Sequence, residues 1–161
     1  MAAYADFSKG ASMLAEVLRE PAYGAYRARL QALLDIPADA TPLQIHNIIH
    51  SGFAADRWMQ LCERGEVTPL DRDQIIPLKT LKTRIAKAQK LTVDESDRLF
   101  RAGHIIAVAA ALFGNDDKAK RWLAKPKDRF CGCSPMAMLS TIEGTRQVEE
   151  MLIQLVEGFA F

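Results

Sequence analysis

Three groupings of residues have the types and spacing to do chemistry. His46 and His50 stand four apart, which on a helix puts both imidazoles on one face, a spacing that can hold a metal ion. No carboxylate or cysteine follows at a recognisable interval, and the glutamate of a His-Glu-x-x-His motif is missing. Polar or interfacial histidines are therefore the better reading, and no metal is expected. Cys131-Gly-Cys133 sets two thiols either side of a glycine. Without a second pair nearby they read as small residues in a connector rather than as metal ligands or a redox sensor. A cysteine nucleophile would need a positioned base and an oxyanion site, and neither is visible. There is no Walker-type or dinucleotide glycine loop, so the expectation is a chain with no cofactor and no enzymatic role.

The third grouping is cationic. Lys79, Lys82, Arg84, Lys87 and Lys90 fall between Pro77 and Lys90 with no acid among them. At about 100° per residue, Leu78, Leu81, Ile85 and Ala88 share one narrow sector of a helix. Lys79, Thr83, Lys87 and Lys90 lie opposite, with Thr80, Lys82 and Arg84 at the flanks. An apolar side to seat the helix and a cationic side with short hydroxyls suits a major-groove reader. Lysines neutralise phosphates and threonines reach base edges. The candidate DNA contacts are Lys79, Thr80, Lys82, Thr83, Arg84 and Lys87. A solvated helix face is the competing explanation of such a charge run; the short helix and turn that precede it favour DNA.

The elements that must position these residues read as helices throughout, since no stretch alternates over β-branched residues. The first forty residues suggest helices around Ser12–Arg19 and Tyr23–Leu34, separated by Pro21, with Pro37 closing the second. A third is expected from Thr41, with Pro42 at its first position, to His50, and a fourth from Ala54 to Arg64, stopped by Gly65. Thr68 caps a short helix opened by Pro69, which ends near Ile75 because Pro77 disfavours helical geometry at Ile76. Pro77 then opens the basic helix, expected to run through Gln89. Short helix, tight turn and basic helix outline a helix-turn-helix. Thr92-Val-Asp-Glu95 reads as a capping box for a long helix to Phe113, ended by Gly114 and Asn115. Asp116–Ala124 forms a short helix, Ser134-Pro135 starts another, and Ser140 or Thr141 starts the last. There Val148, Met151, Leu152, Leu155, Val156 and Phe159 follow a buried-stripe rhythm.

Of the 161 residues 49% are hydrophobic and 25% charged, as in ordinary globular chains. The longest apolar stretch, Ile105–Phe113, is far shorter than the roughly 20 residues of a membrane span. No secretory signal is visible, and three cysteines fit no disulfide framework, so a cytoplasmic setting is expected. The formal net charge is only +1, yet its distribution is uneven. From Ser140 to Phe161 the acids Glu143, Glu149, Glu150 and Glu157 face Arg146 alone. A cationic helix and an acidic end in one short chain imply two surfaces with different partners.

Over Leu91–Glu157 the chain resembles the toxin-binding domain shared by the Xre, MbcA and ParS antitoxins. The residues that carry the resemblance are Leu91-Thr-Val-Asp-Glu-Ser-Asp-Arg-Leu99, Leu112-Phe-Gly114, Ala119-Lys-Arg-Trp-Leu123 and Pro126. Ser134-Pro135, Leu139, Thr141, Gly144, Val148-Glu149 and Leu152 follow in order. Upstream, Ile76-Pro-Leu-Lys-Thr-Leu-Lys-Thr-Arg84 is similar to the family's turn and recognition helix, with Lys79 where an arginine is usual. The chain departs from the family at Cys131 and Cys133, where glycine and a basic residue are common. The resemblance implies an antitoxin for a RES-domain toxin, an enzyme that destroys NAD. It would bind its operator DNA, dimerise, form a larger complex with the toxin and occlude the toxin's active site. On this reading residues 1–40 are an N-terminal helical segment, 41–91 an Xre-like DNA-binding region and 92–161 the toxin-binding domain. The candidate toxin contacts are Arg146, Glu149, Glu150, Glu157, Phe159 and Phe161. Phe159 continues the apolar stripe and leans towards the core; Phe161 leans towards a partner. A stand-alone dimeric helix-turn-helix regulator without a toxin partner is the alternative.

Overall fold

The computed structural model describes residue 18 and residues 20–158, and every regular element among them is a helix. In chain order these are α1 (Glu20–Leu34), α2 (Pro42–Ser51), α3 (Ala55–Glu63), α4 (Pro69–Ile75), α5 (Leu78–Ala86), α6 (Val93–Phe113), α7 (Asp116–Ala124) and α8 (Ile142–Gly158). Two 3-10 turns, Asp128–Phe130 and Ala137–Ser140, lie in the connector between α7 and α8. The expected all-α class holds.

Local chemistry explains most boundaries. Thr41 and Gln44 form a reciprocal capping box at the start of α2, with Pro42 behind the cap. The Thr68 hydroxyl accepts from Asp71 N at 3.2 Å to start α4, and Asn115 caps α7 through Lys118 N at 2.9 Å. Gly65 stops α3 at φ +76, where its amide reaches Cys62 O and that of Glu66 reaches Leu61 O. Thr141 Oγ1 accepts from Gly144 N at 2.9 Å beside the first turn of α8. Gly144 has a packing reason as well: a Cβ there would stand 1.9 Å from Met138 O. Only glycine fits so close to a carbonyl.

The N-terminal end and the basic helix differ in extent from expectation. Helix α1 starts at Glu20, before the expected Tyr23, with Pro21 in its first turn; that turn tolerates a residue without an amide proton. The helix expected over Ser12–Arg19 lies outside the described residues. Helix α5 ends at Ala86, three residues short of Gln89. Ala88 sits at φ +51, with Gln89 N on Arg84 O at 2.8 Å and Ala88 N on Ile85 O at 3.1 Å. This is a Schellman closure with alanine in the left-handed place.

Helix α6 is the spine. Leu99, Ala102, Gly103 and the whole run Ile105–Ala110 are buried, because α1, α2, α7 and α8 all pack against it. A helix apolar on every side is stable only when covered on every side. One hydrophobic cluster runs from Leu18 and Leu30 through Trp58, Leu61, Ile75 and Leu81 to Leu99, Leu123, Leu139 and Leu152. Trp122 is half-buried against Phe113, with ring centroids 5.8 Å apart, which fastens α7 to the end of α6.

Candidate nucleic-acid and partner-binding surfaces

Helix α5 is seated by Leu81, which is fully buried, and by half-buried Leu78. The expected apolar seat is narrower than four residues. Ile85 is 44% exposed and Ala88 lies outside the helix, exposed. Of the six candidate DNA contacts, Lys79, Lys82, Thr83 and Lys87 are exposed, while Thr80 and Arg84 are half-buried. Leu78, Lys79, Lys82, Thr83 and Ala86 line an open depression of about 430 Å³. The Thr83 hydroxyl donates back to Lys79 O at 3.0 Å, its usual resting bond inside a helix.

Arg84 has a different occupation. Its Nη2 lies 2.7 Å and its Nε 3.2 Å from Glu95 Oε1, and its Nη1 meets Gln89 Oε1 at 3.2 Å. Glu95 lies in the first turn of α6 and its side chain is 8% exposed. Burial alone would raise its carboxyl. The Arg84 hydrogen bond and charge, with help from Thr92, outweigh that and hold it below the ordinary glutamate value. The Thr92 hydroxyl accepts from Glu95 N at 3.1 Å as expected of a cap. The carboxylate is taken mainly by Arg84 rather than by the Thr92 amide. The capping-box signal locates the start of α6; it carries no sign of the Arg84 contact made by this side chain.

Further links tie the segments flanking α5 to α6 and to the connector. Arg98 Nη1 donates to Ile75 O at 2.9 Å, at the end of α4. Leu91 N donates to Phe53 O at 2.9 Å, and Phe53 N to Ser96 Oγ at 3.0 Å. Asp71 of α4 is buried and accepts from Ser134 Oγ at 2.9 Å, while Ser134 Oγ itself accepts from Ala137 N at 3.1 Å. The connector before α8 is thereby hooked to the helix before the basic one. Sequence reasoning missed this pair. The adjacent Ser134-Pro135 marked a helix start, and nothing local connects it to Asp71.

Helix α8 carries Arg146, Glu149, Glu150 and Glu157. Arg146 is exposed and pairs with Glu143 at 3.0 Å; exposed Glu150 lies 3.7 Å from Arg129 of the connector. Glu149 points the other way. Its Oε1 is 2.6 Å from His104 Nε2 on α6, and His104 Nδ1 is 2.7 Å from the Tyr26 hydroxyl on α1. Burial pushes the Tyr26 hydroxyl far above its ordinary value, so it stays protonated and can donate to Nδ1. That leaves Nε2–H for the Glu149 carboxylate. Glu149 thus serves a three-helix joint. Val148 and Leu152 are buried, and Met151, Leu155 and Val156 half-buried, in the expected stripe. The Glu157 side chain, Phe159 and Phe161 lie outside the described residues.

His46 and His50 stack at 6.0 Å on the exposed side of α2. Among the described residues no group of three or more His, Cys, Asp or Glu is placed to hold a metal ion, and no helix is long and apolar enough to cross a membrane.

Comparison with known proteins bears on the family to which the chain belongs. Residues 108–158 match the family described as the antitoxin Xre/MbcA/ParS C-terminal toxin-binding domain. The chain is 61% identical over 155 residues to the antitoxin Xre of Pseudomonas putida, covering 96% of this chain and 98% of the relative. It is 30% identical over 84 residues to the antitoxin Xre of Photorhabdus laumondii, covering 52% of this chain and 57% of that one. A likeness that strong along the whole length places this chain in the Xre/MbcA/ParS antitoxin family, with the family's toxin-binding domain at its C-terminal end.

Proposed function

We propose that this antitoxin neutralises a RES-domain, NAD-degrading toxin by covering its active site, and represses its own operon through DNA contacts made by α5. The observation that carries the reading is the near-full-length identity to a protein named antitoxin Xre, which extends through the basic helix as well as the toxin-binding domain. Neutralisation is stoichiometric and needs no catalytic group in this chain. Two copies present two α5 helices to a palindromic operator, joined in a larger assembly with the toxin in the cytoplasm.

On this reading residues 41–91 serve DNA and residues 92–161 the toxin, with residues 1–40 an N-terminal helical segment. The exposed cations Lys79, Lys82 and Lys87, with Thr83, serve DNA, and half-buried Thr80 lies at the edge of that surface. Arg84 contributes by aligning α5 through Glu95. On α8, Arg146 and Glu150 face outward and Glu149 holds the helix in place; Glu157, Phe159 and Phe161 complete the proposed set of toxin contacts.

The test is co-expression with the toxin encoded beside it. Rescue of growth and co-purification of the pair are expected. A toxin that kills equally with and without this chain would overturn the reading and favour a stand-alone regulator. Removing residues 157–161 should weaken toxin binding more than DNA binding; an unchanged toxin affinity removes Phe161 from the interface.

A further inference from the structure

The connector between α7 and α8 holds a pair of cysteines outside the residues proposed for DNA and toxin binding. Cys131 and Cys133 are both exposed, and Cys133 N donates to Phe130 O at 3.0 Å across a tight turn. The two central residues of that turn, Cys131 at φ +54 and Gly132 at φ +87, are both left-handed, as in a type I′ turn. A side chain with a Cβ resists such a conformation, so Cys131 is held against its own preference. The turn is fixed by the flanking chain. Lys127 N donates to Cys133 O at 3.1 Å, Gly132 N to Lys127 O at 3.0 Å and Cys131 N to Asp128 O at 3.0 Å. Buried Phe130 pins its base.

Two trans peptide steps of about 3.8 Å bent at such a turn leave the cysteine Cα atoms roughly 5–6 Å apart. That falls inside the window of roughly 4.4–6.8 Å that a disulfide spans. Both thiols are open to solvent, as attack on a dissolved disulfide requires. Cys62 offers the contrast: it is half-buried in α3, and burial pushes its thiol up to about 11, which keeps it unreactive.

We propose that Cys131 and Cys133 form a reversible dithiol–disulfide site that exchanges with low-molecular-weight disulfides such as glutathione disulfide. The thiolate of one cysteine attacks a sulfur of the small disulfide, forming a mixed disulfide and expelling one glutathione thiolate. The second cysteine then attacks the protein-bound sulfur, closes the ring and expels the other. Two electrons and two protons pass from the cysteines to two glutathione thiols, so the exchange balances without another reactant. The arrangement is a small-molecule redox site on the surface of the connector, and neither cysteine is among the proposed DNA or toxin contacts.

The experiment treats the full-length protein with defined ratios of glutathione disulfide to glutathione, quenches with an alkylating agent and reads peptide masses. In the wild type, Cys131 and Cys133 should lose alkylation together, with the mass of two hydrogens lost and no glutathione retained. Reduction should restore both, and Cys62 should stay alkylatable after unfolding. Cys133→Ser, an exposed substitution, should instead retain one glutathione on Cys131. Cys131→Ser should retain it on Cys133, and circular dichroism should show both variants folded. A stable mixed disulfide in the wild type, an oxidised form made of two linked chains, or thiols that remain alkylatable at high glutathione disulfide would each overturn the proposal.

Discussion

Glu95 is the residue on which two surfaces meet. It starts the long helix, and its buried carboxylate holds Arg84 of the basic helix. Its folded-state carboxyl lies below the ordinary glutamate value, so the stabilisation it gives is complete above the unfolded-state pKa. It is lost as pH falls through the depressed folded value. Glu95→Gln should therefore lower the melting temperature at neutral pH by a few degrees, and the gap to wild type should close on acidification; a gap independent of pH would refute this assignment. Ser134 makes a comparable link without a formal charge of its own. Ser134→Ala removes the side-chain donor that buried Asp71 has among the described residues, which should cost about 1–3 kcal/mol in urea unfolding. Replacing both Ser134 and Asp71 by alanine should cost less than the sum of the two single changes. Neither partnership was legible in the sequence. Arg84 and Glu95 are eleven residues apart and Asp71 and Ser134 sixty-three apart, and only packing decides whether such groups meet each other or water.

At the scale of the element, α5 shows how far periodicity reaches. Spacing correctly put Lys79, Lys82, Thr83 and Lys87 on the outside. It overestimated the helix because its stop has no glycine: Ala88 takes the left-handed position that glycine usually fills. Ala88→Gly should relieve that strain. After glycine's greater unfolded-chain entropy is subtracted, it should stabilise the protein by roughly 0.5–1 kcal/mol. Equilibrium unfolding would read the gain, and a loss of stability would argue against the Schellman closure. The outward lysines make a separate prediction. Lys79→Glu with Lys82→Glu should abolish operator binding yet leave toxin neutralisation intact. Neutral replacement of the same pair should reduce the salt dependence of binding by roughly two phosphate contacts. Loss of both activities together would count against two separate surfaces.

The whole molecule adds a constraint that neither surface needs by itself. The hydrophobic cluster spans the N-terminal helix, the basic-helix region and the C-terminal part, and the Tyr26–His104–Glu149 chain ties α1, α6 and α8 together. With a shared core and buried cross-links, the chain should unfold in one cooperative transition, with circular dichroism and tryptophan fluorescence coincident. Two resolved transitions would mean that the DNA-binding and toxin-binding roles sit on independently stable units. A single one would mean that tightening either surface stabilises the other, because both draw on the same folding free energy.

The amino-acid order alone settled the helical class, nearly every helix start, the acid-free cationic segment and the family resemblance, because caps, breakers and apolar period act over three or four neighbours. Tertiary packing decided what those local rules cannot reach. It took Arg84 and Glu149, two charges that looked free on their own helices, and committed both to partners on α6. The energy of a long-range ion pair or hydrogen bond depends on burial, and burial exists only after the helices have docked.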